Sequence, residues 1–282
     1  MILSIGEVVW DVFPDKQVLG GAPVNVAYHL HCLGVEIGVI TRIGNDELGD
    51  RTIGTLAALG LPLDGVQKGE EPTGRVNVTF AENGVHQFEI VSPAAWDKIA
   101  LDPAREMIGN QKFDLVFGTL AQRDETTRRT IRSLWPLARR CFYDVNLRPP
   151  FTTRPVVEDS LAAADLVKMN GDELLEIGGW HNLSGEERKT IAHELMGRYN
   201  ISVLVVTEGA EGAWLMDGDD YFHAEASPVE VSDTVGAGDA FFAALLAGYL
   251  ERMDWQECLA RANERGGYVA SQAGATPKMP TE

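Results

Sequence analysis

The sequence predicts an α/β protein with three layers, α/β/α, in which a central, mostly parallel sheet is joined by a smaller β-sheet. Apolar segments with the composition of buried strands alternate along the chain with amphipathic helical segments. Strands separated by helices of this length are typical of βαβ units, which form parallel sheets. The 282 residues contain no repeat, low-complexity tract or Pro/Ser linker, so we expect a single domain over residues 1–282.

Each element of the large sheet is predicted from its apolar periodicity. Runs rich in Val, Ile, Leu and aromatic residues predict strands at 2–8, 37–44, 114–119, 140–146, 166–170 and 202–209. Apolar residues that recur at helical spacing predict helices within 25–34, 47–60, 126–139, 155–164 and 189–200.

Residues 73–92 depart from this alternation of strands and helices. They alternate with period two on both sides of an Asn-Gly pair at 83–84, which predicts a β-hairpin. A register that pairs Val78 with Ile90, rather than with Glu89, places the apolar side chains on one face, and we expect that register. It requires a loop of three or five residues, with a bulge at the glycine of the Asn-Gly pair.

The hairpin must cover something, and two alternatives stay open. With residues 10–20, the segment 73–92 can form a lid over a pocket. Its apolar face can instead be the contact of a homodimer.

Composition excludes several classes of protein. A formal net charge of −18 opposes non-specific binding to nucleic acid or an anionic membrane, although local dipoles can still bind a phosphate. Cys32, Cys141 and Cys258 form no CxxC pair and are expected to be free thiols. The first residues carry Glu7 and Asp11 and no basic region, which is unlike a signal peptide, and the apolar runs are too short to span a bilayer. We therefore expect a cytoplasmic protein.

The segment DTVGAGDAFFAALLAGYL, residues 233–250, carries the sharpest chemical signal. A helix N-terminus presents unpaired N–H groups and a positive dipole end, and Gly236 and Gly238 let an anion approach them. Asp239 among these groups can take a proton from a hydroxyl, a combination that suits phosphoryl transfer. An acid that only stabilises its own helix is the alternative, but it does not explain the small residues. No P-loop or GxGxxG motif occurs.

Two segments near the N-terminus are candidates for contacts with a substrate. Gly20 and Gly21 permit close approach of the backbone, and Asn25 follows in the first turn of a helix. Asp11 comes after the first strand, where ligands of parallel sheets bind, and can accept hydrogen bonds from a polyol. A local turn and a surface acid are the respective alternatives.

Two further segments suit a nucleotide or a metal ion. Gly209 and Gly212 follow a strand and either admit a nucleotide or only form a turn. Asn170 and Glu173 are three residues apart at the start of a helix, which suits a contact with phosphate or metal-bound water and equally suits a capping box.

Two long motifs resemble those of the ribokinase/PfkB family of carbohydrate kinases, and the resemblance covers nearly the whole chain. One pattern consists of Gly20, Gly21, Asn25, Ala27, Gly34 and Gly44. The other is DTVGAGDAFFAAL, from residue 233. The resemblance implies a ribokinase-like fold and ATP-dependent phosphorylation of a primary hydroxyl of a sugar, with ATP and Mg²⁺ as cofactors and a lid that excludes water.

The resemblance also implies roles for particular residues. The catalytic residues would be Asp239 as the base and Gly236, Ala237 and Gly238 as the anion hole. The sugar contacts would be Asp11, Gly21 and Asn25, and the nucleotide contacts Asn170, Thr207, Gly209, Gly212 and Asn263. Glu173 would organise Mg²⁺ through water, while Asp233, the Val235 carbonyl and residues 271–277 match a K⁺ site only loosely.

The segments 144–150 and 6–14 look most like those of bacterial fructokinases, which implies fructose as the acceptor, with Gln122 and Arg148 near it. Other acceptors stay open: ribose, 2-keto-3-deoxygluconate, or a nucleoside held between aromatic side chains. A non-catalytic sugar sensor on the same fold is a further alternative. The aromatic residues available to clamp a nucleoside are Trp10, Phe13 and Trp96.

Overall fold

The computed structural model describes residues 1–80 and 86–280. Within those ranges the strands are β1 (Ile2–Ile5), β2 (Val9–Val12), β3 (Gln17–Gly20), β4 (Ile37–Gly44), β5 (Val66–Gly69), β6 (Arg75–Phe80), β7 (His86–Ile90), β8 (Asp114–Gly118), β9 (Cys141–Asp144), β10 (Leu166–Asn170), β11 (Val203–Thr207), β12 (Ala213–Asp217) and β13 (Asp220–Ala224). The α-helices there are α1 (Ala22–Cys32), α2 (Glu47–Ala58), α3 (Leu101–Ile108), α4 (Glu125–Leu134), α5 (Arg154–Ala163), α6 (Gly171–Trp180), α7 (Arg188–Tyr199), α8 (Ala237–Glu251) and α9 (Trp255–Ala270).

The large sheet has the strand order β13-β12-β11-β10-β9-β8-β1-β4-β5. All strands from β11 to β5 in this order are parallel, and β12 and β13 are antiparallel at one edge. The order reverses at β1, since the chain continues on one side into β4 and later returns to the other side at β8. In such sheets, ligands bind beyond the carboxyl ends of the strands at this reversal.

Helices cover both faces of the large sheet, as the predicted three-layer architecture requires. Leu3 and Ile5 of β1 belong to a buried cluster that includes side chains of α3 to α7. Ile2, on the opposite face of the same strand, belongs to a second cluster with side chains of α1, α2, α8 and α9. Because both faces are buried, the central strands are continuously apolar rather than alternating.

Helix α8 lies at the centre of its layer. Every residue from Ala240 to Gly248 is buried, and its neighbours include α1 and α9. A helix that is apolar all round is stable only when other elements surround it. Its first turn is therefore held in place by the packing of the helix that follows.

The small sheet has the order β3-β2-β6-β7, so the two predicted lid segments pair with each other. The predicted register of the hairpin is wrong by two residues. Val78 pairs with Phe88, and Ile90 pairs with Val76. A shift of two residues keeps every side chain on its predicted face, which is why apolar patterning could not distinguish the two registers. The connecting residues 81–85, with the bulge predicted at Gly84, lie outside the described ranges.

The described part of the lid's apolar face packs inside the chain. Val76 and Val78 are buried and belong to the same cluster as Trp96 and Ile99. These side chains therefore offer no exposed apolar surface to a second copy, and a homodimer through the lid stays a prediction. No helix in the described ranges is long and apolar enough to cross a membrane.

Candidate active site

Helix α8 begins in a backbone conformation that favours glycine. Gly236 precedes the helix with a φ of 80°, in the left-handed region that L side chains rarely adopt. A Cβ atom at Gly236 would lie 2.4 Å from the Cβ of Ala275, so the loop after α9 packs directly against this residue. The turn that opens α8 therefore depends on Gly236 for both conformation and space.

The amides at this helix start are available to a ligand. Within the described ranges, the N–H groups of Gly236, Gly238 and Asp239 have no hydrogen-bond acceptor. The N–H of Ala237 donates to the carbonyl of Thr234 at 3.3 Å. Unpaired N–H groups at the positive end of a long buried helix form an anion-binding site. The sequence placed this site at 236–238, and in the structure the unpaired amides extend to Asp239.

Asp239 contacts Asn25, although 214 residues separate them. The Asn25 Nδ2 donates to Oδ2 of Asp239 at 2.8 Å. Asn25 is only 4% exposed, and its Oδ1 has no partner within the described ranges. The two side chains meet because α1 packs against α8. The contact leaves a buried amide oxygen free beside the carboxylate, where it can accept a hydrogen bond from a ligand's hydroxyl.

The surroundings of Asp239 make it a stronger base than an ordinary aspartate. Burial, and secondarily the charge of Asp144, raise its pKa to about 6, while Asn25, Lys168 and Arg148 lower it. The carboxylate is thus ionised near neutral pH and has a pKa close to the value that favours general-base catalysis.

Lys168 is a functional candidate that the sequence reasoning missed. Its Nζ lies 3.0 Å from Oδ1 of Asp144, and both side chains are buried. Burial lowers the pKa of Lys168, but Asp144, Glu173 and Asp239 outweigh burial and raise it, so the ammonium is charged. The Nζ also lies 3.2 Å from where a Cβ of Gly238 would be. The signal was a lysine inside the otherwise apolar strand LVKMN.

The predicted glycine pair and Asp11 lie near this centre. Gly21 has a φ of 115°, and a Cβ there would lie 2.5 Å from the carbonyl oxygen of Glu7. Asp11 is on β2 of the lid, and burial, followed by the charge of Asp233, raises its pKa to about 6. The lid thus brings Asp11 within electrostatic reach of Asp233, which precedes α8.

Gln122 and Arg148 differ in how well the structure supports their predicted positions. Gln122 is buried, and its Nε2 donates to the Gly118 carbonyl and to Oγ of Ser160, both at 2.9 Å. Its Nε2 is therefore held by β8 and α5, while its Oε1 has no partner within the described ranges, and a contact of Gln122 with the sugar stays a prediction. Arg148 is exposed, and its charge lowers the pKa of both Asp239 and Glu7, which places it at the mouth of the site.

Four of the five predicted nucleotide residues share a cavity of about 570 Å³, and Asn170 is the one that does not line it. Thr207, Gly209, Gly212 and Asn263 line it, together with Ala237 and Gly238 of the helix start. Pro228, Val229, Val231 and Phe241 make it largely apolar, which suits the flat face of a purine. The cavity therefore runs from an apolar pocket to the unpaired amides of α8.

Asn170 and Glu173 form a capping box, the alternative that the sequence left open. Oδ1 of Asn170 accepts from the Glu173 amide at 2.9 Å, and Oε2 of Glu173 accepts from the Asn170 amide at 2.8 Å. Oε1 of Glu173 accepts from the Leu147 amide at 2.7 Å. Both carboxylate oxygens are thus held by backbone N–H groups, and a metal ion can reach Glu173 only through the remaining lone pairs or a water.

The loop predicted to hold a monovalent cation is held by hydrogen bonds to Asp233. Oδ1 of Asp233 accepts a hydrogen bond from the Val235 amide at 3.0 Å, and Oδ2 of Asp233 accepts one from the Gly274 amide at 3.2 Å. These bonds join residues 271–277 to the start of α8. No group of three or more His, Cys, Asp and Glu side chains able to hold a metal ion occurs in the described ranges.

Two of the three aromatic residues considered for a nucleoside clamp are buried in the fold. Trp10 is 4% exposed and its Nε1 donates to Oγ1 of Thr52, while Trp96 is fully buried. Neither indole presents a face to a ligand. Phe13, which is partly exposed, is the one of the three left to contact a nucleoside, and that alternative stays a prediction.

The fold and the site define a class of protein. An apolar cavity leads to free helix amides, a buried lysine and a basic carboxylate, at the reversal point of a parallel sheet. This arrangement is that of a phosphoryl-transfer enzyme without a P-loop, since it holds phosphate charge beside a base for the attacking hydroxyl.

The comparisons with known proteins agree with this class. The chain belongs to the pfkB family of carbohydrate kinases, whose model matches residues 5–282. It is 31% identical to a fructokinase of Klebsiella pneumoniae over 88% of this chain and 83% of that protein. The structure of a fructokinase from Xylella fastidiosa with bound ATP matches with a TM-score of 0.86, at 21% identity over 98% of this chain and 93% of the other.

A second solved structure is that of a Vibrio cholerae fructokinase with fructose, ADP and calcium. It matches with a TM-score of 0.83, at 24% identity over 98% of this chain and 94% of the other. The fold is therefore ribokinase-like, as the sequence resemblance implied, and the protein is an ATP-dependent carbohydrate kinase.

Proposed function

We propose that this kinase transfers the γ-phosphoryl group of ATP to a primary hydroxyl of free fructose, with Asp239 as the general base. The observation that carries the proposal is the start of α8, where an ionised carboxylate with a pKa of about 6 stands beside three unpaired amides. Asp239 takes the proton of the hydroxyl as its oxygen attacks phosphorus. Asn25 fixes the orientation of the carboxylate through its 2.8 Å hydrogen bond.

The amides of Gly236, Gly238 and Asp239 stabilise the negative charge that develops on the phosphoryl oxygens. The Lys168 ammonium, held by Asp144, adds positive charge beside Gly238. The purine of ATP occupies the cavity lined by Thr207, Gly209, Gly212 and Asn263. Closure of the lid, which carries Asp11, excludes water from the site.

The residues present fit a magnesium ion bound mainly by the nucleotide. Mg²⁺ usually keeps several waters and takes only one or two carboxylates besides phosphate oxygens. Glu173 is buried near Lys168 and Asp144, and its oxygens are already bonded to backbone amides, so it would hold the ion through water. The ion would neutralise charge on the phosphates. Asp233 and the Val235 carbonyl remain our candidates for K⁺.

Fructose is favoured by the relatives and by the charge of the site. The fructokinase of Klebsiella pneumoniae is 31% identical to this chain. A phosphorylated sugar would need a cluster of cations near the lid, where Arg42 and Arg75 lie, and Arg42 is paired with Glu71. A neutral sugar therefore suits the acceptor side better than a phosphorylated one.

The test is Asp239→Asn, with the exposed Asp64→Asn as the matched control. We expect kcat for fructose to fall about 10²–10⁴-fold in Asp239→Asn, because the base is lost while the shape is kept. Fructose and ATP should still bind in calorimetric titrations, and Asp64→Asn should behave as wild type. Near-normal turnover by folded Asp239→Asn would refute the assignment of the base. Binding of fructose by the wild type without ADP formation would favour a sugar sensor instead.

A further inference from the structure

A second buried carboxyl group, that of Glu7, lies where β1 ends. Glu7 is only 5% exposed, and its Oε2 has no hydrogen-bond partner within the described ranges. Burial raises its pKa to about 7 against the lowering effects of its own amide and of Arg148, and Asp239 and Asp144 raise it further. A buried polar oxygen without a partner is costly in a native fold, so this oxygen is free to take a hydrogen bond from a group outside the chain.

Glu7 stands at the reversal point of the large sheet. Its side chain lines a narrow crevice of about 10 Å³, enough for one hydroxyl group or water, between the carboxyl end of β1 and that of β8, the place where ligands of open α/β sheets bind. Gly118 at the end of β8 and Thr119 just after it contribute to the lining, as do Asp144 at the end of β9 and Asn146 just beyond it. The crevice and the nucleotide cavity are therefore lined by different residues. Asp144, which lines the crevice, also acts on the charge of Asp239.

The backbone fixes Glu7 relative to the predicted sugar contacts. The start of α1 packs on the Glu7 carbonyl so closely that a Cβ at Gly21 would lie 2.5 Å from that oxygen. Asn25, in the first turn of α1, bonds to Asp239. One packing contact thus positions the Glu7 carboxyl and the Asn25–Asp239 pair together.

We infer that Glu7 is a sugar-binding residue whose carboxyl group forms a hydrogen bond with a hydroxyl of a neutral acceptor, an inference that rests on the proposed sugar kinase function. Together with Asp144, Glu7 would also disfavour acceptors that carry negative charge. An ionised carboxyl accepts a hydrogen bond from a hydroxyl, and a protonated one both donates and accepts. A hydroxyl group therefore satisfies Oε2 in either state. An anionic group would instead meet the carboxylates of Glu7, Asp144 and Asp239. The opposing charges are those of Arg148 and of Lys168, which is already paired with Asp144.

The experiment compares Glu7→Gln with Glu70→Gln, which removes an exposed carboxylate. We expect Glu7→Gln to raise the KM for fructose about tenfold, to change kcat less, and to leave the KM for ATP within about twofold. The preference for fructose over fructose 6-phosphate, as a ratio of kcat/KM, should fall about tenfold. Glu7→Asp keeps the charge but shortens the side chain. It should raise the KM for fructose, but it should change the preference for fructose over fructose 6-phosphate less than Glu7→Gln does.

Two results would overturn the inference. A folded Glu7→Gln enzyme with an unchanged KM for fructose and unchanged acceptor preference would show that Glu7 does not contact the sugar. An equal rise of both KM values with a lowered melting temperature, in Glu7→Gln and Glu7→Asp alike, would show a structural role only. If the wild-type enzyme itself phosphorylates no neutral sugar, the proposed function fails and this inference fails with it. That failure is seen in the wild type, whereas a failure of this inference alone is seen only in the Glu7 variants.

Discussion

Helices α8 and α6 both carry an acidic residue in the first turn, yet the two helix starts are chemically opposite. At α6, Asn170 and Glu173 satisfy each other's amides in a capping box. At α8, Gly236 has no side chain to offer as a cap, and three amides stay unpaired. A helix start that satisfies itself stabilises the fold, and one left open is available for an anion. What separates them is the residue before the helix, asparagine in one case and glycine in the other.

Among the changes that test this comparison of helix starts, the largest effect is expected from closing the open one. Gly238→Ala would place a Cβ where the phosphate should approach, 3.2 Å from Nζ of Lys168, whose flexible end can move. We expect kcat to fall about 10²-fold, similar to the loss of one anion-hole donor. The free energy of unfolding should rise by less than about 1 kcal/mol, because alanine favours the helix.

The matched control for this change is Gly197→Ala, in the exposed interior of α7, where a Cβ meets nothing within 4 Å. It should stabilise the protein by a similar amount and leave turnover unchanged. Steady-state kinetics and chemical denaturation of both variants measure the two quantities. A Gly238→Ala enzyme with normal kcat would show that the open amides hold no phosphate.

An intermediate effect is expected from pH. The pKa of Asp239 is raised to about 6, so the carboxylate is the main form above that pH and the protonated acid below it. Because only the carboxylate accepts a proton, kcat/KM for fructose should fall about tenfold for each unit of pH below 6. A profile measured from pH 5 to 8 tests this. Activity that stays level down to pH 5 would contradict the base assignment.

The smallest expected effect comes from opening the closed helix start. Asn170→Ala removes a side-chain cap and should lower the free energy of unfolding by about 1 kcal/mol. The KM for ATP should change less than about twofold, because the side-chain Oδ1 of Asn170 already accepts a hydrogen bond from the Glu173 amide and is not directed at a ligand. A tenfold rise in that KM at unchanged stability would instead assign Asn170 to the nucleotide, as the family resemblance implied.

The sequence predicted the class of fold because its signals are local. All six predicted strands of the large sheet are present, and α8 begins within the predicted glycine segment. The six predicted strands do not include β12 and β13 at one edge or β5 at the other, and β5 has the sequence VQKG, which carries no apolar run to mark it. The register of the hairpin could be predicted only to within two residues, because both registers bury the same face.

At the site, the sequence could predict the residues that a motif places together but not those that tertiary packing orients. Asp239 and Gly238 share one short segment. Lys168 and Glu7 stand alone in the sequence, and only their burial beside Asp144 and Asp239 makes them notable. Gln122 is turned toward α5 by Ser160, a partner 38 residues away that no local pattern indicates.

The contacts between α1 and the segment after α9 have a consequence for biosynthesis. Nε2 of His29 bonds to the Ala275 carbonyl, and the Tyr28 hydroxyl donates to the Pro277 carbonyl, over sequence separations of 246 and 249 residues. Ala275 also packs against Gly236. While the chain is being made, the turn that we propose to bind phosphate therefore lacks this support until residue 277 has emerged from the ribosome. A nascent chain that already carries α8 but not residues 275–277 would lack the packing contact that holds Gly236 in place.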